Sequence, residues 1–351
     1  MPESIRSDFS VYQALAKLHH QYFLGLQLMV SANESAGLVG DWMFHLFRQQ
    51  HEDKFLSSFG KLGLQGLPHA VACARYHVLS NGVGGVPVEY MYESDRKAWV
   101  RFRYPRWMFA GPAICGVPVS ASRGFLKGWY AHNGVSLGNP RLGFVCVSED
   151  MTGEFGLCGY FKEYDHDLAP EARLRFAKEE RPPVFIPDEQ PQPPASDWSE
   201  ERLAKANRNY AVEYVRNGVV QLCRVLPVER ALALSRRAGR LIGLQYAAEI
   251  SQDLGHEVTD AVSLAALMKW LFEGMGDQVD PVSGSESERF HHQNLRIVKG
   301  LEQQSRTVLL TAWCELFTGM GMAQQRMLKV IADLSGPGVD WQIHPEQLDP
   351  G

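Results

Sequence analysis

One stretch constrains the fold more than any other: Ser122–Asp167, which reads SRGFLKGWYAHNGVSLGNPRLGFVCVSEDMTGEFGLCGYFKEYDHD. Ser122 is placed to cap a helix whose Phe125, Leu126, Trp129 and Tyr130 share one face. Gly138, Asn139 and Pro140 stop that helix. Leu142, Phe144 and Cys146 then alternate with other residues, as a half-buried strand does. Thr152-Gly153 and Phe155-Gly156 supply a hairpin connection. Beyond it, Leu157, Gly159, Phe161 and Glu163 face one way and Cys158, Tyr160, Lys162 and Tyr164 the other. Helix, strand, hairpin and strand in this order predict an α+β unit.

The flanking chain fits that unit. Val11, Leu15, Leu18, Tyr22, Leu26 and Met29 step by three or four and predict a helix over 8–32. Ser35 caps a second helix, and a third is expected over His69–Leu79. A strand pair follows over Val88–Arg103, turned at Glu93–Arg96. Arg181–Asp197 (RPPVFIPDEQPQPPASD) is rich in proline, which removes backbone donors and forbids a helix. It is expected to be an extended linker. Asp197 with Glu200 resembles a capping box. From there to about Gly276 the pattern is helical. Ser283–Glu288 is a polar loop and Phe290–Val298 a strand.

The C-terminal part reads as a weaker copy of the N-terminal part. Phe23-Leu24-Gly25-Leu26-Gln27 matches Leu241-Ile242-Gly243-Leu244-Gln245. Ser35…Trp42-x-Phe44 matches Ser263…Trp270-x-Phe272, and Ser122-Arg123…Leu126 matches Ser305-Arg306…Leu309. Arg141 and Arg326 each open a strand, and Gly336-Pro337-Gly338 stands where the first copy has its hairpin. The expected organisation is therefore two pseudo-repeated lobes, each of helices packed on a small antiparallel sheet. Residues 1–180 form the lobe that carries the site, 181–197 the linker, and 198–351 a degenerate, mostly helical lobe.

Composition excludes several functions. A net charge of −5 gives no electrostatic case for nucleic acid or an anionic membrane surface. No apolar run is long enough to span a bilayer. The six cysteines lack short paired spacings, so a reduced, cytoplasmic chain with free thiols is expected.

The order of helices, strand pair, helix, strand and Cys-bearing hairpin resembles the 4-vinyl-reductase-type small-molecule-binding domain. It also resembles the related L-2-amino-thiazoline-4-carboxylic acid hydrolase-like family. Those families end in a hairpin of the form Cys…Gly-(Asp)-x-x-Cys-x-Phe. The corresponding residues are Cys146, Gly153 or Gly156, Cys158 and Phe161. The gap between the cysteines is longer here, the Gly-Asp pair is absent, and Phe161 lies three residues after Cys158. The resemblance implies a ligand pocket between helices and sheet, serving either hydrolysis of a small C–N or C–S heterocycle or simple binding.

Four residues are candidates for catalysis. Cys146 and Cys158, expected on neighbouring strands, could act as nucleophile and resolving partner or hold a metal; small buried hydrophobes are the plainer alternative. Asp165 and His166 lie in a knot of carboxylates, imidazole and phenol where a carboxylate could orient a general base. A solvated strand end is the plainer alternative there. Substrate-binding candidates are Trp129, His132 and Asn133 at the end of the central helix, and the stripe His69, Cys73 and His77. No more than an adjacent pair of that stripe could share a metal, because i to i+8 spans about 12 Å of helix axis. No cofactor is predicted, and a metal is left open. The expected activity is hydrolysis of a C–N or C–S bond in a small cyclic or amide-like substrate. The alternatives are a sensor or carrier of a small molecule, and a lyase or oxidoreductase on the same fold. The partner is a small molecule, with a homodimer left open.

Overall fold

The computed structural model describes residues 8–103, 106–152, 156–192, 199–282, 288–324 and 328–345. The Gly153–Phe155 part of the expected hairpin, the Asp197 cap, most of the Ser283–Glu288 loop and Arg326 lie outside them. The fold is α+β, and the chain divides into two compact units: Val30–Ser199, and Met1–Met29 with Glu200–Gly351. This corrects the expected boundary. Helix α1 (Asp8–Asn33) belongs almost wholly with the C-terminal half. Leu15, Leu18, Tyr22 and Leu26 are fully buried. The Tyr22 hydroxyl donates to the carbonyls of Ser235 and Ala312, and Trp313 Nε1 donates to His19 Nε2 at 3.1 Å.

The Val30–Ser199 unit opens with α2 (Ala36–Phe59), capped by Ser35, and α3 (His69–Val83). Strands β1 (Val88–Ser94) and β2 (Lys97–Phe102) form the expected pair. The short α4 (Ala113–Gly116) precedes α5 (Val119–Gly128), and a 3-10 turn leads into α6 (Asn133–Ser136). Strands β3 (Leu142–Ser148), β4 (Cys158–Glu163) and β5 (Leu174–Phe176) complete the sheet, in the order β1-β2-β4-β3-β5. Only β5 runs parallel to its neighbour. Ser122 does not cap α5. The helix starts earlier, at Val119 after Pro118, and Ser122 lies buried inside it with its hydroxyl accepting from Arg106.

The Pro-rich segment is not a free linker through its described part. Phe185 packs with Ala177 on a buried cluster of Met91, Trp99, Val145, Val147, Cys158 and Tyr160. The Gln190 side chain accepts from Tyr90 N and donates to Tyr90 O, at 2.8 and 2.9 Å. It thereby satisfies the open edge of β1 as a strand would. Proline kept this strap out of the sheet, and it is Phe185 that packs while Val184 and Ile186 stay exposed.

The other unit holds α7 (Glu200–Val225), α8 (Val228–Asp253), α9 (Ala261–Met275), β6 (Gln278–Pro281), β7 (Glu288–Gln293), α10 (Gln303–Gln324), β8 (Leu328–Asp333) and β9 (Val339–Pro345). Its sheet order, β6-β7-β9-β8, repeats β1-β2-β4-β3 strand for strand, all antiparallel. In both units the helix two before the sheet packs on the helix between the hairpins, through glycine. A side chain at Gly124 would collide with the Gly40 carbonyl, and one at Gly243 with that of Leu316. Topology thus pairs α2 with α8, α3 with α9 and α5 with α10. Ser122 and Ser305 fall on equivalent helices. Trp42 and Trp270 do not, since α2 and α9 hold different positions.

Candidate ligand site

The catalytic candidates do not come together. Cys158 lies in the cluster under Phe185, on the face of the sheet away from the helices. Cys146 is opposite Gly159 and alternates with Val145, so it faces with Phe144 toward the helices. The two thiols occupy neighbouring strands but opposite faces. Burial pushes the Cys158 thiol up to about 12 and raises Cys146 further, with Glu149 adding to the effect. Neither thiol is activated as a nucleophile. Asp165 and His166 are exposed. Asp165 pairs with Arg96 at 2.7 Å, and that bond holds its carboxyl below the usual range. Asp165, His166 and Asp167 form a solvated end to the strand, while Glu163 accepts from Asn139 and Arg141.

Five of the six binding candidates do converge. Helix α3 presents Cys73 and His77 inward. The turn after α5 carries Trp129 and His132, and α6 starts with Asn133. The Asn133 side-chain nitrogen lies 3.0 Å from His77 Nε2. The Cys73 thiol, a weak donor raised by burial, lies beside the same amide. Trp129 is 6.2 Å from the His77 ring, and His77 stacks on Tyr130 at 3.9 Å and on Phe161 at 5.4 Å. His69 goes elsewhere. Its Nδ1 meets Asn139 Nδ2 at 3.0 Å, and the same nitrogen donates to Glu163. Since Arg141 N donates to Asn139 Oδ1, the amide orientation is fixed. His69 Nδ1 therefore accepts, which places the neutral ring's proton on Nε2. The stripe is split between two sites, and no group of three metal-ligating side chains occurs among the described residues.

Sequence reasoning missed His51. It lies on α2 one turn from Phe47 and one from Phe55, fully within the core face. Its ring stacks on Phe55 at 4.5 Å and meets Trp129 at 5.6 Å and His132 at 5.2 Å. Its Nε2 lies 2.8 Å from Ser136 Oγ. Burial, then His132 and Arg48, pull its pKa down to about 3. Burial, then Arg48 and Arg173, pull His132 to about 4. His77 falls well below the ordinary value by burial. All three imidazoles are neutral at pH 7. The signal for His51 was available: it interrupts the Met43, Phe47, Phe55 row at a spacing of four.

Three buried polar atoms here have no hydrogen-bond partner among the described residues: His51 Nδ1, Trp129 Nε1 and Asn133 Oδ1. His132 connects this cluster to the surface. It also lines a cleft of about 570 Å³ with Phe44, Arg48, Lys127, Arg173 and Phe176. A different polar cluster sits beside Cys146. Arg106 grips Asp150 through Nε and Nη2 at 2.6 and 3.1 Å, and Arg123 grips Glu149 at 3.0 and 2.9 Å. These carboxylates are satisfied and buried, so they tie the end of β3 to α5. The second unit has a buried pair of its own, His292 Nε2 on Asp277 Oδ2 at 2.9 Å, closed off from solvent.

Comparison with family models, curated proteins and solved structures finds no match for this chain. No described helix is long and apolar enough to cross a membrane.

Proposed function

We propose that the Val30–Ser199 unit binds a small organic molecule against His51, Trp129, His132 and Asn133. The observation that carries this is the set of unpartnered buried atoms on His51, Trp129 and Asn133. A buried polar group without a partner costs roughly 1–3 kcal/mol. One acceptor (Asn133 Oδ1), one donor (Trp129 Nε1) and one ring nitrogen that takes either role with the tautomer (His51 Nδ1) lie among aromatic side chains, a set that a heteroatom-bearing ligand satisfies. Kinship with 4-vinyl-reductase-type domains is part of the proposal, supported by the order of helices, strand pair, helix and hairpin. Internal duplication is another part, supported by the matching strand orders. A cytoplasmic location is supported by six free cysteines.

Hydrolysis of a C–N or C–S bond is the second reading, favoured by the 2.8 Å Ser136–His51 pair. Against it, a base pulled down to about 3 accepts a proton poorly at neutral pH, and no carboxylate among the described residues bonds His51 Nδ1. Native mass spectrometry of the purified protein tests the binding reading. A stoichiometric organic mass that disappears in Asn133→Ala supports it. Turnover of amide or thiazoline substrates that Ser136→Ala abolishes would replace binding with catalysis.

A further inference from the structure

We infer that the cleft lined by Phe44, Arg48, Lys127, His132, Arg173 and Phe176 takes an oxyanion, a carboxylate or phosphate ester, borne on an apolar or aromatic body. This rests on the small-molecule role proposed for the same unit and adds the charge and shape of the ligand.

Charge carries the inference first. The chain as a whole is acidic, at −5. Yet this cleft sets three cations, Arg48, Lys127 and Arg173, against one exposed carboxylate, Glu171. Elsewhere in the unit several arginines are matched, Arg96 with Asp165, Arg106 with Asp150, Arg123 with Glu149 and Arg141 with Glu163, while Arg75 lies over the Tyr90 ring without an ion pair among the described residues. None of the three cleft cations has an ion-pair partner among the described residues. Arg173 keeps a buried Nε with no hydrogen-bond partner there. Glu52, outside the lining, offsets part of the Arg48 charge; like charges that outnumber their counter-charges cost energy that a bound anion recovers.

Arg48 is also pre-positioned. Its Nε donates to the Gly128 carbonyl at 2.9 Å and its Nη2 to that of Lys127 at 3.3 Å. Its guanidinium lies 5.1 Å from the centre of the Phe44 ring. Two of its nitrogens thus fix the plane, and Nη1 makes no hydrogen bond among the described residues. A guanidinium already fixed in place loses little entropy when it takes a carboxylate or phosphate oxygen.

The walls set the rest of the ligand. Phe44, Pro170, Leu174 and Phe176 are apolar, and Phe176 is partly exposed although large. A volume of about 570 Å³ suits a molecule larger than a bare ion. His132, kept neutral by burial and by Arg48 and Arg173, stands where the anion end gives way to the buried cluster. It can donate or accept one hydrogen bond without adding charge.

Isothermal titration of the full chain with benzoate, phenyl phosphate, benzyl alcohol and inorganic phosphate tests this. Arg173→Gln and the surface variant Lys127→Gln accompany the wild type. Benzoate or phenyl phosphate is expected to bind at least tenfold more tightly than benzyl alcohol. The tighter of the two identifies the anion as carboxylate or phosphate ester. Arg173→Gln is expected to weaken the anions roughly ten- to a hundredfold and to leave benzyl alcohol unchanged. Lys127→Gln, which alters an exposed side chain, is expected to weaken them less, and only at low salt. Benzyl alcohol binding as tightly as benzoate, or both variants binding anions like the wild type, overturns the anion assignment and leaves the small-molecule role standing. Inorganic phosphate binding as tightly as phenyl phosphate overturns the apolar body. No binding of either charged or neutral aromatic probe overturns both.

Discussion

Replacing the His51 imidazole by a glutamine amide should change how stability depends on pH. His51 is buried on α2 and neutral, with its pKa drawn from 6.5 to about 3. The folded value lies below the unfolded one, so the unfolded chain binds the extra proton first. The stabilisation is complete above about pH 6.5 and is lost as pH falls from there toward 3. Each pH unit in that window costs about 1.4 kcal/mol for one such group. Between pH 7 and pH 5, His51 alone therefore removes about 2 kcal/mol from the wild type. The amide of the His51→Gln variant does not titrate, although loss of the ring against Phe55 and Trp129 lowers stability at every pH. Urea unfolding of both proteins at pH 7, 6 and 5 gives the difference directly. His19, His20, His77 and His132, also depressed, are common to both chains and cancel in it. The wild-type advantage should shrink by about 2 kcal/mol on going to pH 5. A pH-independent difference would refute the buried, neutral assignment.

The strap, the thiols and the buried ion pair give further tests. Gln190→Ala should cost about 1 kcal/mol by freeing the two backbone groups of Tyr90, and Phe185→Ala about 1–3 kcal/mol; unchanged urea midpoints would mean the strap is only a linker. Cys158→Ser should destabilise by roughly 1–3 kcal/mol by burying a hydroxyl among Met91, Trp99 and Tyr160, while ligand binding persists. Full loss of function with unchanged stability would make that thiol chemical after all. An aromatic disulfide reagent should titrate exposed Cys115 fast and Cys223 slowly, with Cys73, Cys146, Cys158 and Cys314 protected until unfolding. Asp150→Asn should cost roughly 3–5 kcal/mol by leaving Arg106 charged and buried, read as a lower melting temperature.

The alternation of Phe144 and Phe161 and the helix periodicities were legible because each reports one local period. The strand pair around Glu93–Arg96 and the Ser35 cap were legible for the same reason. What was hidden depends on which face meets which. Cys146 and Cys158 share a hairpin, but a register that sets Cys146 opposite Gly159 sends them to opposite sides. Such a parity cannot be counted through a turn of unknown length. The prolines of 181–192 argued against a helix, and a single 3-10 turn over Pro187–Glu189 is the helical piece that forms there, yet a strap that packs without being a strand leaves no periodic trace. Short motif matches suggested two similar halves, and the two sheets do share a strand order, but matching Trp42 to Trp270 aligned helices that hold different positions. The requirement the two units share is small residues where α2 crosses α5 and α8 crosses α10. His51 was missed because a histidine within an apolar row reads as an exception. The cleft cations are far apart in sequence, so only the fold brings Arg48, Lys127 and Arg173 together.

The most direct test of a ligand site at this cluster is a long-range nitrogen–proton spectrum of the chain labelled only at histidine, recorded while benzoate or phenyl phosphate is added. Shifts concentrated at His51 and His132, saturating with one equivalent and leaving the exposed His166 and His291 still, are predicted. Saturable shifts confined to other histidines, or none at any of them, would contradict a ligand site between α2, α3 and α6.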